Sequence, residues 1–347
     1  QVIVFLIWGG AEIYVAANLL EPSLGIDKIW IMMLITLTIA IYSTWGGFSA
    51  VVKTDKLQFV FVASYLIAVA WMSLSQLPEL NIGSLVPAKA QDPFFDAALV
   101  PLIIITAFAY LPGWLSEADL WLRIQAARNV KEARKAALIG LFNSFLFVGL
   151  IPAVIAVAAL ALFPVNDSAS TGMIGKEGER IISAIVLPFN NPWMEIFLGI
   201  GLLCASMSTI DTCTNIVSLN VGRDILRTKN LSMSKGVNLA VMGAVFLISI
   251  NVNSLWDIFY LSSGLLSTAV ALPVLATLSK RIPGEAVFYS SILGFACTVV
   301  FYFNSAYAWV PLSMNAVMRD TGLEYVVYGI IGAGVGFAVG YFLRSER

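Results

Sequence analysis

Trp193–Gly222 reads WMEIFLGIGLLCASMSTIDTCTNIVSLNVG. It passes thirty residues with two ionisable side chains, Glu195 near its start and Asp211 inside it. As a helix it would rise about 45 Å, more than the roughly 30 Å of a bilayer's hydrocarbon core. A stretch this long and this apolar has lipid for its solvent. It is nevertheless rich in oxygen, with Ser206, Ser208, Thr209, Thr212 and Thr214 clustered about Asp211. At 3.6 residues per turn, Ala205, Ser208, Thr209 and Thr212 share one face and Asp211 borders it. Hydroxyls beside a carboxylate make an all-oxygen surface, which suits a hard cation such as sodium and offers a soft metal nothing. Isolated hydroxyls would be read as bonding back to their own helix or gluing helices together. Five of them around one intramembrane carboxylate favour the ion, because a charge in lipid is expensive to keep without a use.

The rest of the chain shares that solvent. Of 347 residues, 59% are hydrophobic and 12% charged, and the mean hydropathy is +0.87. A soluble domain carries about 25% charged residues. Ten stretches are long and apolar enough to span, at approximately 1–20, 29–52, 57–77, 95–113, 136–163, 193–222, 235–252, 255–279, 284–304 and 322–343. The expected architecture is all-α and polytopic. If the loops alternate sides, Lys28, Lys89, Lys176, Arg180 and Arg319 fall on one side and the other fifteen basic residues on the opposite one. By the positive-inside rule the basic side is cytoplasmic, which places both ends of this chain in the cytoplasm and the chain in the cell membrane. Trp121–Ala137 (WLRIQAARNVKEARKAA) intersperses bases with alanines and reads as one short amphipathic helix on that side.

Several functions are excluded by what is missing. A net charge of -1 argues against a nucleic-acid partner. Absence of histidine removes the commonest general base and metal ligand, and no nucleophile–base pair stands out, so an enzyme is not expected. Cys204, Cys213 and Cys297 lie in apolar stretches and read as packing residues.

Further polar groups mark the spans. In Thr54-Asp55-Lys56-Leu57-Gln58, Asp55 is read either as the cap of a helix starting there or as an ion ligand. Gly46-Gly47 just before it should allow a bend. Pro112-Gly113, inside an apolar stretch, is expected to break a helix and free backbone groups. Tyr110 and Trp114 beside that break would then cover a small-molecule ligand, or else mark a plain interfacial helix end. Glu12, Asn143 and Asp257 are near-buried polar residues with no obvious partner.

Three blocks together carry a family resemblance. Tyr42–Gln58 (YSTWGGFSAVVKTDKLQ), the loop Arg123-x3-Ala127-Arg128-x-Val130-x-Glu132-Ala133, and Ala205-x2-Ser208-Thr209 followed by Gly222-Arg223-Asp224-Ile225 resemble the sodium/solute symporter family. The resemblance implies an inverted repeat of five plus five helices of the bacterial leucine-transporter type. Residues 1–77 would be the remainder of the first repeat, 95–279 the second, and 284–343 additional C-terminal helices of one transport domain. Counted back from Ser208-Thr209, the chain would begin at the third core helix, with the first two absent. The resemblance further implies sodium as coupling ion, without an organic cofactor, held by the Ala205 carbonyl and the Ser208 and Thr209 hydroxyls. A second sodium is suggested at Asp55, Ser208 and Thr212, with Asp211 beside them. Sodium, a small solute and the bilayer are then the expected partners. A solute sensor and a proton-coupled carrier on the same fold are the competing readings.

Overall fold

No water reaches the hydrocarbon core, so each backbone N–H and C=O there must be satisfied inside the chain, which a helix does locally. The computed structural model describes residues 1–77, 103, 107, 110–164, 168–175, 178, 180–252, 255–279, 282–307, 309 and 323–345, and among them there are helices and no strand. Nine described segments are long and apolar enough to cross a membrane. The protein is an all-α, multi-pass membrane protein. The expected span 95–113 lies mostly outside the described residues, as does the loop 78–94.

In chain order the helices are α1 (Val2–Leu24), α2 (Lys28–Ser75), α3 (Ala118–Gln125), α4 (Val130–Asn143), α5 (Ile151–Leu162), α6 (Ser168–Ile174) and α7 (Ile181–Val186). They continue as α8 (Pro192–Leu219), α9 (Leu231–Ser249), α10 (Leu255–Leu265), α11 (Leu272–Thr277), α12 (Gly284–Tyr307) and α13 (Leu323–Ser345). Wider π-helical turns at Ser144–Leu150 and Leu266–Ala271 join α4 to α5 and α10 to α11, and another at Asn220–Ile225 extends α8. Prolines account for the two joints. Pro152 and Pro273 lack an N–H and crowd the carbonyl four residues back, so the helix widens ahead of each. The carbonyl of Ala269, four before Pro273, takes a hydrogen bond from Ser291 Oγ instead, at 2.9 Å.

Two of the expected spans, 29–52 and 57–77, run together in α2, which has 48 residues. Straight, it would be about 72 Å long, and side chains sixteen residues apart would sit some 24 Å from each other. Yet the Gln58 side chain hydrogen-bonds to Tyr42. The helix therefore turns sharply between those residues, where Gly46-Gly47 lies, while its helical bonding persists. Asp55 consequently caps nothing, because α2 has no end there. Residues 121–137 also differ from expectation. They form parts of two helices, since Asn129 accepts from the Glu132 N–H at 2.9 Å and starts α4 afresh.

The chain divides into two compact units. One comprises 1–8, 95–126 and 252–347, and the other 9–94 and 127–251. In the first, α12 and α13 pack through glycines: a Cβ on Gly336 would stand 2.3 Å from the Tyr289 carbonyl oxygen, and one on Gly340 2.5 Å from Ala286 Cα. Small residues let helix backbones approach this closely where lipid supplies little hydrophobic drive. In the second unit Tyr65, Val69, Met72, Ile155, Ile185 and Leu198 form a buried core joining α2, α5, α7 and α8.

Candidate functional site

The polar groups expected on α8 point two ways. Ser206, Ile210, Asp211, Cys213 and Thr214 are buried, while Ala205, Ser208, Thr209 and Thr212 form a half-buried face. The fold brings Ser208 and Asp55 together: Ser208 Oγ donates to Asp55 Oδ1 at 2.7 Å. One turn further along α8, Asp211 accepts a short hydrogen bond from the Tyr42 hydroxyl. Tyr42 is in turn bonded by Gln58, so both arms of the bent α2 converge on one stretch of α8. Asp55, Ser208, Asp211, Tyr42 and Gln58 are thus a single cluster within the second unit.

Two acceptors in that cluster lack a partner among the described residues: Asp211 Oδ1 and Gln58 Oε1 are fully buried and receive no hydrogen bond from them. A buried acceptor left unmade costs on the order of 1–3 kcal/mol, more when charged, so each needs an explanation. Two carboxylates, two hydroxyls and an amide oxygen are the donor set of a hard monovalent or divalent cation, and the orphaned oxygens fit such an ion.

Other expected residues stand differently. Thr209 Oγ1 lies 3.4 Å from the Ala205 carbonyl, one turn back on its own helix. Thr212 is half-buried on the same face as Ser208. In the first unit, residues 110–115 are helical, so the chain does not break at Pro112-Gly113; the helix closes at Ser116, whose N–H bonds to the Gly113 carbonyl at 2.9 Å. Gly113 is there for packing, since a Cβ on it would stand 2.4 Å from Ser267 Oγ. Tyr110 is buried against Tyr325 and Val326, its hydroxyl without a hydrogen-bond partner among the described residues, whereas Trp114 is exposed. Glu12 gains a partner, Ser206 of α8. The side chain of Asp257 lies outside the described residues, and Asn143 ends α4.

Sequence reasoning passed over Tyr42 and Gln58 as site residues, and Asn238 altogether. Asn238 is buried in α9, donates to Ser43 Oγ and Thr44 Oγ1 at 2.9 Å each, and accepts from Ser218 Oγ at 2.9 Å. Its signal was an asparagine inside an apolar span. A double-mutant cycle tests the α2–α8 link: Tyr42→Phe with Asp211→Asn should show a coupling of about 1.5–3 kcal/mol in thermal unfolding, as for hydrogen bonds to charged groups. Additive effects would mean that the two side chains do not depend on each other.

Carboxylate, hydroxyl and amide oxygens gathered where bent α2 meets α8 mark a polar site inside a multi-pass membrane protein. No family model matches the chain. Its curated relatives are transporters by name. It is 23% identical over 344 residues to the osmoregulated proline transporter of Bacillus subtilis (strain 168), covering 95% of this chain and 66% of that protein. It is 22% identical over 263 residues to sodium/proline symporter 2 of Staphylococcus saprophyticus, covering 74% of this chain and 50% of that one. To the sodium/sialic acid symporter of Proteus mirabilis it is 21% identical over 347 residues, covering 92% and 66%. The chain is thus similar to proline and sialic acid transporters, and spans at most 66% of the length of these three relatives.

Proposed function

We propose that this chain acts in sodium-coupled symport of a small organic solute. The observation that carries the reading is the cluster on α8, in which Ser208 joins Asp55 at 2.7 Å and buried Asp211 presents an unpartnered oxygen. The names of its relatives, which include sodium symporters of proline and sialic acid, agree with it. In this reading Ala205, Ser208 and Thr209 bind the coupling sodium, and Asp55, Asp211, Thr212 and Ser208 hold a second. Tyr110 and Trp114 serve the solute, Tyr110 through its unpartnered hydroxyl. Residues 1–77 are then the remainder of the first repeat and 95–279 the second of one transport domain, with 284–343 added, and both ends of this chain face the cytoplasm.

Coupling needs no direct contact between ion and solute. It requires that both favour one conformation, so that each raises the other's affinity by the same factor. The ion's own charge makes its entry sensitive to membrane potential, at about 2.3 kcal/mol per charge per 100 mV.

The test is thermal unfolding of the purified full-length protein in sodium against potassium at equal ionic strength, with a panel of proline, other amino acids, sugars and sialic acid. Ligand at 100 times its dissociation constant stabilises by about 2.7 kcal/mol. A sodium-specific rise, enlarged by one solute class, is the expected result. Equal melting in both cations would overturn sodium coupling, and dependence on pH alone would favour a proton carrier acting through Glu12.

A further inference from the structure

The second unit has a large cavity, lined by several cations, away from the cluster described above. It measures about 740 Å³ and lies where α8 ends and α9 begins. Four cations line it: Arg223, Arg227, Lys229 and Lys235. No acidic side chain lines it, and among the described residues none of the four is paired with a carboxylate. Four positive charges around one cavity repel one another, so an anion between them would relieve a standing cost.

The inner wall points to the same chemistry. Ser43 and Thr44 of α2 also line the cavity and are more than nine-tenths buried, at 3% and 8% exposure. Each hydroxyl accepts from Asn238 Nδ2 at 2.9 Å. Neither hydroxyl donates to any acceptor among the described residues. Two buried O–H donors thus await acceptor oxygens at the base of a cationic cavity. Asn238 cannot supply them, because its own oxygen is occupied by Ser218 at 2.9 Å. A group with several acceptor oxygens and a negative charge satisfies both walls, and a phosphate is such a group.

Its position decides where such a phosphate comes from. The spans Pro192–Ile225 and Leu231–Ser249 meet at this cavity, so it lies at the depth of the headgroups. Apolar side chains flank it, with Ile225 66% and Leu231 70% exposed. Cations beside exposed hydrocarbon are the arrangement that holds a charged headgroup while its acyl chains lie alongside. Arg227 is held in the left-handed region, at φ 51°, which favours glycine and costs a non-glycine residue stability. Here the backbone strain accompanies an arginine aimed at the cavity.

We infer that this cavity binds the phosphate of an anionic phospholipid headgroup, on the side of the membrane where the basic residues concentrate. The inference is independent of the ion coupled and the solute carried. Its test uses the full-length protein in neutral detergent, titrated with short-chain phosphatidylglycerol, phosphatidylcholine of equal chain length, or inorganic phosphate at constant ionic strength. Binding is read as the rise in melting temperature and as lipid retained in native mass spectra. Phosphatidylglycerol is expected to bind and phosphatidylcholine not.

The Arg223→Gln/Lys235→Gln pair should weaken phosphatidylglycerol about 30-fold, at roughly fivefold per cation. A control pair on exposed α4, Lys131→Gln/Arg134→Gln, should leave it unchanged. Arg227→Gly guards against a merely unfolded variant: it should melt no lower than wild type without lipid, since glycine suits that backbone, yet bind phosphatidylglycerol about fivefold more weakly. If inorganic phosphate protects as well as the lipid, and the Arg223/Lys235 variant loses that protection, the occupant is a free phosphate and the headgroup assignment falls. Equal response to both lipids, or equal losses in the cavity and control pairs, would overturn the site itself.

Discussion

Ser208→Ala is expected to weaken sodium activation by about 10- to 100-fold, the equivalent of a hydrogen bond to a charged group worth roughly 1.5–3 kcal/mol. The melting temperature without sodium should fall by only a few degrees, because Ser208 is half-buried and the alanine leaves little empty space. The size of the effect follows from its place. Ser208 Oγ is the atom by which α8 reaches Asp55, at 2.7 Å, so its loss removes a proposed ligand and one hydrogen bond to the carboxylate. Thr209→Ala should act in the same direction. Asp55→Asn separates the contributions, since an amide oxygen still accepts from Ser208 while the charge is gone. It should preserve folding and shift the sodium titration or the charge moved per solute. The measurement is half-saturating sodium in transport and in thermal unfolding. Unchanged sodium activation in the Ser208 and Thr209 variants would remove the ion site from this face of α8.

Gly336→Leu should destabilise the first unit by about 3 kcal/mol, the upper end of what overpacking usually costs. A drop in melting temperature of about 6–12 °C would follow for a unit of this size. Overpacking is mild where a flexible side chain can swing aside. Here the obstacle is backbone, with the Tyr289 carbonyl oxygen 2.3 Å from where a Cβ would sit, so α12 and α13 would have to part. Gly334 is the control: a Cβ there meets nothing within 4 Å, and leucine at that position should be nearly neutral. If both variants melted alike, the close approach of the two helices would be refuted.

Much of the architecture was legible because, in lipid, the requirement for a span is local. Each helix must satisfy its own backbone and be apolar for about 20 residues whatever surrounds it. Nine of the ten expected spans therefore recur as described helical segments, while 95–113 falls mostly outside them. The same logic drew attention to α8, since a carboxylate amid apolar residues is expensive wherever the neighbours lie. Composition could also remove enzymes that depend on histidine, because that is a matter of which side chains exist.

What the chain does between its helices was not legible. Lipid makes one apolar helix face much like another, so pairing is decided by close fit and by a few polar contacts rather than by hydrophobic pattern. A bend in α2 between Tyr42 and Gln58 brings those two together across sixteen positions, and Tyr42 carries the contact on to Asp211 of α8. Proline misled for a related reason: at Pro112 the helix carries on to residue 115, because losing one backbone donor does not end a helix that packing holds in place. By itself the sequence determined the solvent, the helices and which oxygens are costly. Tertiary structure alone decided which oxygens meet: Ser208 with Asp55, Asp211 with Tyr42, and Asn238 with Ser43 and Thr44, contacts made across more than 150 residues where no local periodicity can register them.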